Sequence, residues 1–159
     1  MAAGNKLTDS ITALLPNTLF EYLRPGAPAL MLTMGADGYP ASAFTWALAI
    51  DARRLRFGVD LGSSSLENLQ HSGRVSIQVI GSGAVSFLLK GTAQLMKQRI
   101  EAAAPAEIML WEMRVLTAKD QSWPGVAMRA LEYEWPAAQR EAMRRMEQAV
   151  YAEMRDYAA

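Results

Sequence analysis

The stretch that decides the fold is residues 55–79, LRFGVDLGSSSLENLQHSGRVSIQV. Its apolar pattern and turn residues predict four segments in order: a strand over 55–60, a Gly-Ser turn over 62–65, a short helix over 66–71 and a strand over 74–80. A serine-rich turn that leads into a helix gathers unpaired backbone N–H groups and hydroxyls around one point, which suits an anion such as a phosphate. The alternative is that Ser63 or Ser64 only caps the helix. The order of the neighbouring elements favours the anion site.

The composition limits the classes of protein that this chain can represent. Its 159 residues are 51% hydrophobic, enough for one domain with a sizeable core. Sixteen basic and 16 acidic residues cancel, so no net field attracts nucleic acid or an anionic membrane. Without cysteine and with one histidine, His71, a metal centre is not expected. No signal peptide or membrane-spanning run is present, which predicts a soluble cytoplasmic protein.

The segment N-terminal to the predicted strands is expected to be helical. One helix is predicted from Thr8 or Asp9 to Leu15, and a second over 18–23, because each has a capping residue and is followed by proline. Their leucines give an apolar face that can lie on a sheet. We expect residues 1–28 to form a lid over one end of a barrel.

Short segments bounded by turn residues predict a small antiparallel barrel over residues 29–134. Gly91 is interpreted as a bulge or corner where the barrel closes. A helix over 108–118 is an alternative, but four apolar residues at a period of two favour a strand there. Residues 98–104 are predicted to be helical. Besides the two strands above, the predicted strands are 29–34, 40–50, 84–97, 108–118 and 126–134.

The C-terminal residues 136–158 are predicted to form the only long helix. Pro136 occupies the first turn, where its missing N–H costs nothing. The apolar residues from Met143 to Tyr157 follow helical spacing and give one stripe that must cover another part of the protein. The methionines in this stripe are interpreted as packing residues.

The order of these elements resembles the pyridoxamine 5'-phosphate oxidase-like family of FMN-binding split barrels. The resemblance covers roughly residues 28 to 97 and depends on the order and spacing of six short matches: Ala36-Asp-Gly-Tyr-Pro40, Leu55-Arg-Phe57, Asp60-Leu-Gly-Ser63, Asn68-Leu69, Arg74-Val-Ser76 and Leu89-Lys-Gly-Thr-Ala93. It implies a mainly β protein, a six-stranded antiparallel split β-barrel with short N-terminal helices and one long C-terminal helix. It also implies a homodimer that holds FMN in two clefts between the subunits.

The chain departs from the family where the family binds the phosphate. Ser64 and Ser65 stand where the family's turn usually carries Arg and Lys, and Ala43 and Leu48 stand at the basic positions of the hairpin strand. Charge-assisted hydrogen bonds contribute about 1.5–3 kcal/mol each, so their loss predicts weak or absent FMN. Five arginines elsewhere could compensate: Arg24, Arg53, Arg54, Arg56 and Arg74.

The resemblance also implies a set of cofactor-binding residues. Thr45 can donate a hydrogen bond to a ring heteroatom, and Trp46 lies beside it at the flavin edge or is simply packed in the strand. Ser86 is expected to face the flavin of the partner subunit. Trp123 either closes over the ring from the neighbouring chain or anchors its own loop. The full predicted set is Thr45, Trp46, Val59, Asp60, Ser63, Ser64, Ser65, Ser86 and Trp123.

No catalytic residue or metal ligand set is visible in the sequence. His71 is interpreted as a helix C-terminal cap, and Glu112 with Arg114 as a surface pair. The predicted function is an FMN-binding flavoprotein, an oxidoreductase of unknown substrate in which the flavin supplies the chemistry. The alternative is a non-catalytic ligand-binding or assembly protein that has lost FMN or uses another planar cofactor, such as a deazaflavin or haem.

Overall fold

The computed structural model describes residues 11–158, and ten elements of regular α or β structure lie within them. In chain order they are β1 (Ile11–Thr12), α1 (Asn17–Leu23), β2 (Ala27–Met34), β3 (Pro40–Ala49), β4 (Arg54–Asp60), α2 (Ser64–Ser72), β5 (Arg74–Ile80), β6 (Ser86–Lys97), β7 (Ile108–Asp120) and α3 (Arg140–Asp156). A short 3-10 turn, Glu101–Ala103, lies between β6 and β7. None of the helices within residues 11–158 is long and apolar enough to cross a membrane.

Six of the strands form a closed antiparallel barrel, which confirms the predicted fold class. The strand order is β7-β4-β3-β2-β5-β6, and pairing between β6 and β7 closes the ring. Buried and less buried residues alternate along β2 and β5, so one face of each strand fills the barrel. Ala29, Ile77 and Leu89 are fully buried in this interior. β1 lies outside the ring, paired to the end of β7.

Gly91 is placed where the barrel closes, as its sequence context predicted. The register between β6 and β7 shifts between Lys90 and Gly91. A Cβ atom at Gly91 would lie 2.1 Å from the carbonyl oxygen of Arg114 on β7. Because that oxygen belongs to the backbone, it cannot rotate away, and only glycine permits this close approach of the two strands.

β3 and β4 remain paired over only part of their length, and this partial pairing positions the candidate site. The ladder joins Ala47–Ala49 of β3 to Leu55–Phe57 of β4 and then ends. Where the strands diverge, the Thr45 hydroxyl donates to the Gly58 carbonyl (2.7 Å) and accepts from the Gly58 N–H (3.1 Å). The side chain thus satisfies the two backbone groups that β3 no longer reaches.

A second apolar cluster holds α3 against the outer surface of the barrel. Leu48 and Leu110 point outward from β3 and β7 and are fully buried against Val150 and Met154 of α3. The apolar stripe of this helix therefore packs against the barrel, as its spacing predicted. Met154 is a packing residue in this cluster.

Arg56 connects the end of α3 to the barrel through hydrogen bonds and pairs with Glu112. Its Nε lies 3.0 Å from Oε2 of Glu112, and both side chains are buried. Its Nη1 donates to the carbonyl oxygens of Met154 (2.5 Å) and Tyr157 (2.8 Å), at the negative end of the helix dipole. The prediction that Glu112 forms a surface pair with Arg114 is wrong, because Glu112 is buried and lies directly opposite Arg56 in the β4–β7 ladder, where the two side chains pair.

Glu153 joins α3 to the segment between β6 and β7. Its carboxylate accepts from Lys97 Nζ (2.6 Å) and from the backbone N–H groups of Glu101 (2.9 Å) and Ala102 (2.8 Å). Burial acts to raise the pKa of Glu153, but the hydrogen bonds from Lys97, Ala102 and Glu101 outweigh it and lower the pKa below the usual 4.5. The ionised carboxylate is therefore part of the folded structure.

We expect Glu153→Gln to lower the free energy of unfolding by about 1–3 kcal/mol near neutral pH. Because the pKa is lower in the folded state, the stabilisation is fully present above the unfolded-state value and is lost as pH falls through the folded-state value. The difference in the free energy of unfolding between the variant and the wild type should therefore shrink below pH about 4.5. Urea unfolding of both proteins at a series of pH values measures this difference. A difference that stays constant down to pH about 3 would contradict this assignment.

Several predicted boundaries differ from the structure, and the barrel explains two of the differences. The strand predicted over 126–134 is wrong: one bridge, between Gly83 and Met128, is formed there. Both edges of β7, the strand that precedes this segment, are already paired with β4 and β6, so the segment cannot form a full strand along β7. The helix predicted up to Leu15 is also wrong at residues 11–12, which pair with β7 beyond the point where β4 ends. Its first residues, 8–10, lie outside the described part.

The helices begin or end at residues other than those predicted. α2 starts at Ser64 rather than at residue 66, because the Ser63 hydroxyl caps it. The helix predicted over 98–104 is reduced to the 3-10 turn. α3 begins at Arg140 rather than at Pro136, since residues 136–139 form a turn in which the Gln139 N–H donates to the Pro136 carbonyl (2.9 Å). The strand over 108–118 is confirmed as β7.

Candidate functional site

A cavity of about 330 Å³ opens where β3 and β4 diverge. β3 contributes three consecutive residues, β4 contributes two, and β7 and the segment before α3 complete the lining. The residues that line it are Phe44, Thr45, Trp46, Gly58, Asp60, Ile108, Tyr133 and Trp135. Its size falls at the lower end of the range for small-molecule sites.

Gly58 provides a wall without a side chain at the centre of this cavity. A Cβ atom there would lie 2.8 Å from Cγ2 of Ile108 and 3.7 Å from Cε3 of Trp46. The cavity therefore depends on the missing side chain, because any other residue would project into the space between Ile108 and Trp46.

Aromatic rings form most of the remaining wall. The rings of Phe44 and Tyr133 are 5.9 Å apart at 85°, and those of Tyr133 and Trp135 are 5.6 Å apart at 86°. These are edge-to-face contacts, which hold rings in a fixed relative orientation. Phe44 is half exposed, so the wall remains open to solvent on one side.

The Glu147 carboxylate on α3 organises three of these aromatic residues. Its Oε1 accepts hydrogen bonds from Nε1 of Trp46 (3.3 Å), Nε1 of Trp135 (3.2 Å) and the Tyr133 hydroxyl. Nε1 of Trp46 also donates to the Tyr133 oxygen (2.8 Å). Burial raises the pKa of Tyr133, and the bond to Glu147 raises it further, so the phenol stays protonated and donates. One carboxylate thus fixes residues from two distant parts of the chain.

We expect Glu147→Leu to weaken ligand binding at the cavity about tenfold, because the three aromatic donors lose their common acceptor and their fixed orientation. Titration of a ligand against the intrinsic tryptophan fluorescence measures the affinity. Glu141→Leu is the matched control, since Glu141 lies on the exposed side of the same helix and contacts Arg145. An unchanged affinity in a folded Glu147→Leu protein would contradict the role of this carboxylate.

The serines of the turn before α2 have other partners. The Ser63 hydroxyl donates to the Asp60 carbonyl (2.8 Å) and accepts from the Leu66 N–H (3.2 Å), so it caps the helix. Ser65 is buried, with 3% of its surface exposed, and Ser64 is exposed. None of the three lines the cavity. Of this turn, the cavity reaches only Asp60.

The other predicted site residues are divided between the cavity and the rest of the barrel. Thr45 and Trp46 line the cavity, although the Thr45 hydroxyl is committed to Gly58. The Val59 side chain is fully buried in the barrel interior. Ser86 is buried at the start of β6, and Trp123 is half exposed; neither lines the cavity.

Five residues of the cavity wall are not among the site residues that the sequence predicted: Phe44, Gly58, Ile108, Tyr133 and Trp135. Phe44 could have been found, because it lies two residues from Trp46 and therefore on the same face of β3. The two aromatic residues of the segment before α3 gave no comparable signal. Their position depends on contacts with β3, about 90 residues earlier in the chain.

The arginines that could compensate for the missing phosphate ligands lie elsewhere. Arg24 pairs with Glu21, and Arg56 is buried under α3. Arg53 and Arg54 line a separate polar groove with Arg114, and Arg74 lines a third groove. The lining of the cavity within residues 11–158 therefore contains no lysine or arginine. The same residues contain no group of three side chains that could hold a metal ion.

Pairing between β6 and β7 closes the barrel, and β3 and β4 diverge after a short ladder. These two features are those of a split barrel. The sequence matches no family model and no curated protein. The solved structures that share the fold include the following three. A protein provisionally assigned as a pyridoxamine 5'-phosphate oxidase, from Lactobacillus delbrueckii, is 15% identical, with a TM-score of 0.51 over 71% of this chain and 97% of its own.

The second structure, named an F420 reductase, is 18% identical, with a TM-score of 0.55 over 67% of this chain and all of its own. The third, a protein of unknown function from Agrobacterium tumefaciens, is 16% identical, with a TM-score of 0.50 over 65% of this chain and 56% of its own. This chain therefore has the fold of the pyridoxamine 5'-phosphate oxidase-like split barrels, as its sequence predicted.

Proposed function

We propose that the protein binds a flavin-type cofactor, with the planar ring system in the cavity between β3 and β4. The observation that carries the proposal is the aromatic wall, because edge-to-face rings around a slot with a glycine wall suit a flat ligand. The names of the proteins that share the fold are consistent with this class of ligand. A flavin would make the protein an oxidoreductase of unknown substrate.

The residues of the wall have distinct roles in this proposal. Phe44, Trp46 and Tyr133 contact the ring and exclude water from it, and Gly58 gives it room. Glu147 is a positioning residue, which holds the aromatic rings in place. The flavin supplies electron or hydride transfer when it is bound, so no titratable residue of the chain is needed for that step.

The ring and the phosphate of FMN do not fit this site equally well. The wall suits the ring, but no cationic side chain among the described lining residues meets a phosphate. FMN is the flavin that the family resemblance implies, and we propose that it binds weakly. Ser64 and the backbone N–H groups at the start of α2 lie one turn beyond Asp60 and are the groups of this region with hydrogen-bonding capacity for such an anion.

We also propose that the protein is a cytoplasmic homodimer with a site shared between two copies. The outer surface of the barrel offers apolar residues to a second copy, since Met34 and Leu116 are more than half exposed beside a groove. The absence of cysteine is consistent with a reducing compartment. Light scattering after size-exclusion chromatography measures the mass in solution.

The test of the proposed function is titration of the purified protein with flavins. Absorbance between roughly 350 and 500 nm and quenching of flavin fluorescence report the bound ring. Saturable quenching by riboflavin or FMN supports the proposal. The absence of any saturable change with either flavin would overturn it.

A second candidate function is a non-catalytic ligand-binding or assembly protein, or one that uses a different planar cofactor. The absence of a basic residue in the described cavity lining favours it, because a phosphate-bearing cofactor would lose its charge partner there. Thermal-shift measurements with a deazaflavin and with haem test this candidate. A ligand at 100 times its dissociation constant stabilises a protein by about 2.7 kcal/mol.

A further inference from the structure

The charged groups around the cavity are acidic. Asp60 is exposed and lines the cavity, and the Glu147 carboxylate lies behind the aromatic wall. Neither has an ion-pair partner among the salt bridges of the described residues. A ligand in the cavity therefore meets one charged side chain among the described lining residues, the Asp60 carboxylate.

The hydrogen-bond donors of the wall are already used within the protein. Trp46, Tyr133 and Trp135 donate to Glu147 or to one another. Thr45 donates to Gly58. An anionic group that entered the cavity would have to break these bonds or remain without a donor from these side chains.

The turn next to Asp60 offers little to an anion. The Ser63 hydroxyl is committed to the Asp60 carbonyl and the Leu66 N–H, and Ser65 is buried. Ser64 alone of the three hydroxyls is exposed, and it carries no charge. A phosphate held here would lie near the Asp60 carboxylate, and the two negative charges would repel each other.

We propose that the cavity selects planar aromatic ligands that carry no anionic tail, so that riboflavin binds more tightly than FMN. The inference rests on the proposed function, because it assumes that the ring occupies this cavity. The ligand class is a flat ring whose substituents are neutral or cationic. Asp60 is the residue that determines the selection.

The experiment compares riboflavin with FMN, because the two share a ring and differ in the phosphate. Fluorescence quenching of each flavin by the purified protein gives both dissociation constants at low and at moderate ionic strength. We expect FMN to bind about tenfold more weakly at low ionic strength, with a smaller difference when salt screens the charges. Equal or tighter binding of FMN would overturn the inference but leave the proposed function standing. No saturable binding of either flavin would overturn the proposed function itself.

Substitution of Asp60 tests whether this carboxylate causes the selection. We expect Asp60→Asn to strengthen FMN binding about threefold to tenfold relative to riboflavin binding, because the repulsion acts on the phosphate, which riboflavin lacks. Asp60→Lys should invert the preference. Asp156→Asn, which removes an exposed carboxylate at the end of α3, is the control and should change neither constant. If Asp60→Asn alters both flavins equally, or neither, the assignment of the selection to Asp60 is wrong.

Discussion

Gly58→Val is expected to reduce flavin binding about hundredfold or more, to the limit of detection. The valine side chain would occupy the space between Ile108 and Trp46, where a Cβ atom already lies 2.8 Å from Cγ2 of Ile108. That neighbour is the end of a side chain and can rotate, and valine favours strand conformation, so β4 should still form. The variant therefore loses the cavity rather than the fold. Titration with riboflavin measures the loss.

The matched control for Gly58→Val introduces the same residue into another strand. Gln94 is exposed on β6 and does not line the cavity, so Gln94→Val should bind flavin as the wild type does. Circular dichroism and the thermal midpoint establish that both variants are folded. If folded Gly58→Val binds riboflavin with the affinity of the wild type, the ring does not occupy this cavity and the proposed function fails.

Arg56→Leu is expected to lower the free energy of unfolding by about 3–5 kcal/mol, a large part of the stability of a typical domain. The substitution leaves Glu112 buried without its partner and removes the donors from the Met154 and Tyr157 carbonyl oxygens. The loss of these contacts should also release the end of α3 from the barrel. Urea unfolding gives the free energy, and limited proteolysis reports the release of the helix.

Two further variants distinguish the effect of breaking the buried Arg56–Glu112 pair from the effect of removing any arginine. Arg54→Leu removes an arginine that is half exposed and paired with Asp51, so it should cost less than about 1 kcal/mol. Arg56→Leu combined with Glu112→Leu should recover part of the stability, because the unpaired buried carboxylate is then gone. A loss of under about 1 kcal/mol for Arg56→Leu alone would show that the pair does not hold α3 to the barrel.

The barrel could be predicted from the sequence because its signals are local. Alternating apolar residues, the turn at Asp37-Gly38 and the Gly-Ser turn before α2 specify short antiparallel strands without reference to distant residues. Gly91 likewise indicated a bulge or corner where the barrel closes, and the register shifts there. The strand predicted over 126–134 failed because local pattern cannot show that both edges of β7 are already paired.

The candidate site was only partly predictable for the same reason. Thr45, Trp46 and Asp60 line the cavity and were among the predicted residues, since the family resemblance covers β3 and β4. Ser63 caps α2 and Ser65 is buried, and a sequence pattern does not distinguish these roles from an anion site. Glu112 looked like a surface residue, because its buried partner Arg56 lies 56 residues earlier in the chain and meets it only through the pairing of β4 with β7.

The sequence by itself determined the antiparallel strands, the short helix between β4 and β5, and an apolar stripe on the last helix, because each depends on the spacing of neighbouring residues. Only the tertiary structure decided the charge and shape of the cavity. Tyr133 and Glu147 reach Trp46 across 87 and 101 residues of chain, when the segment after β7 and α3 pack on the outside of the barrel. Such contacts are set by packing between distant elements, and no local period in the sequence records them.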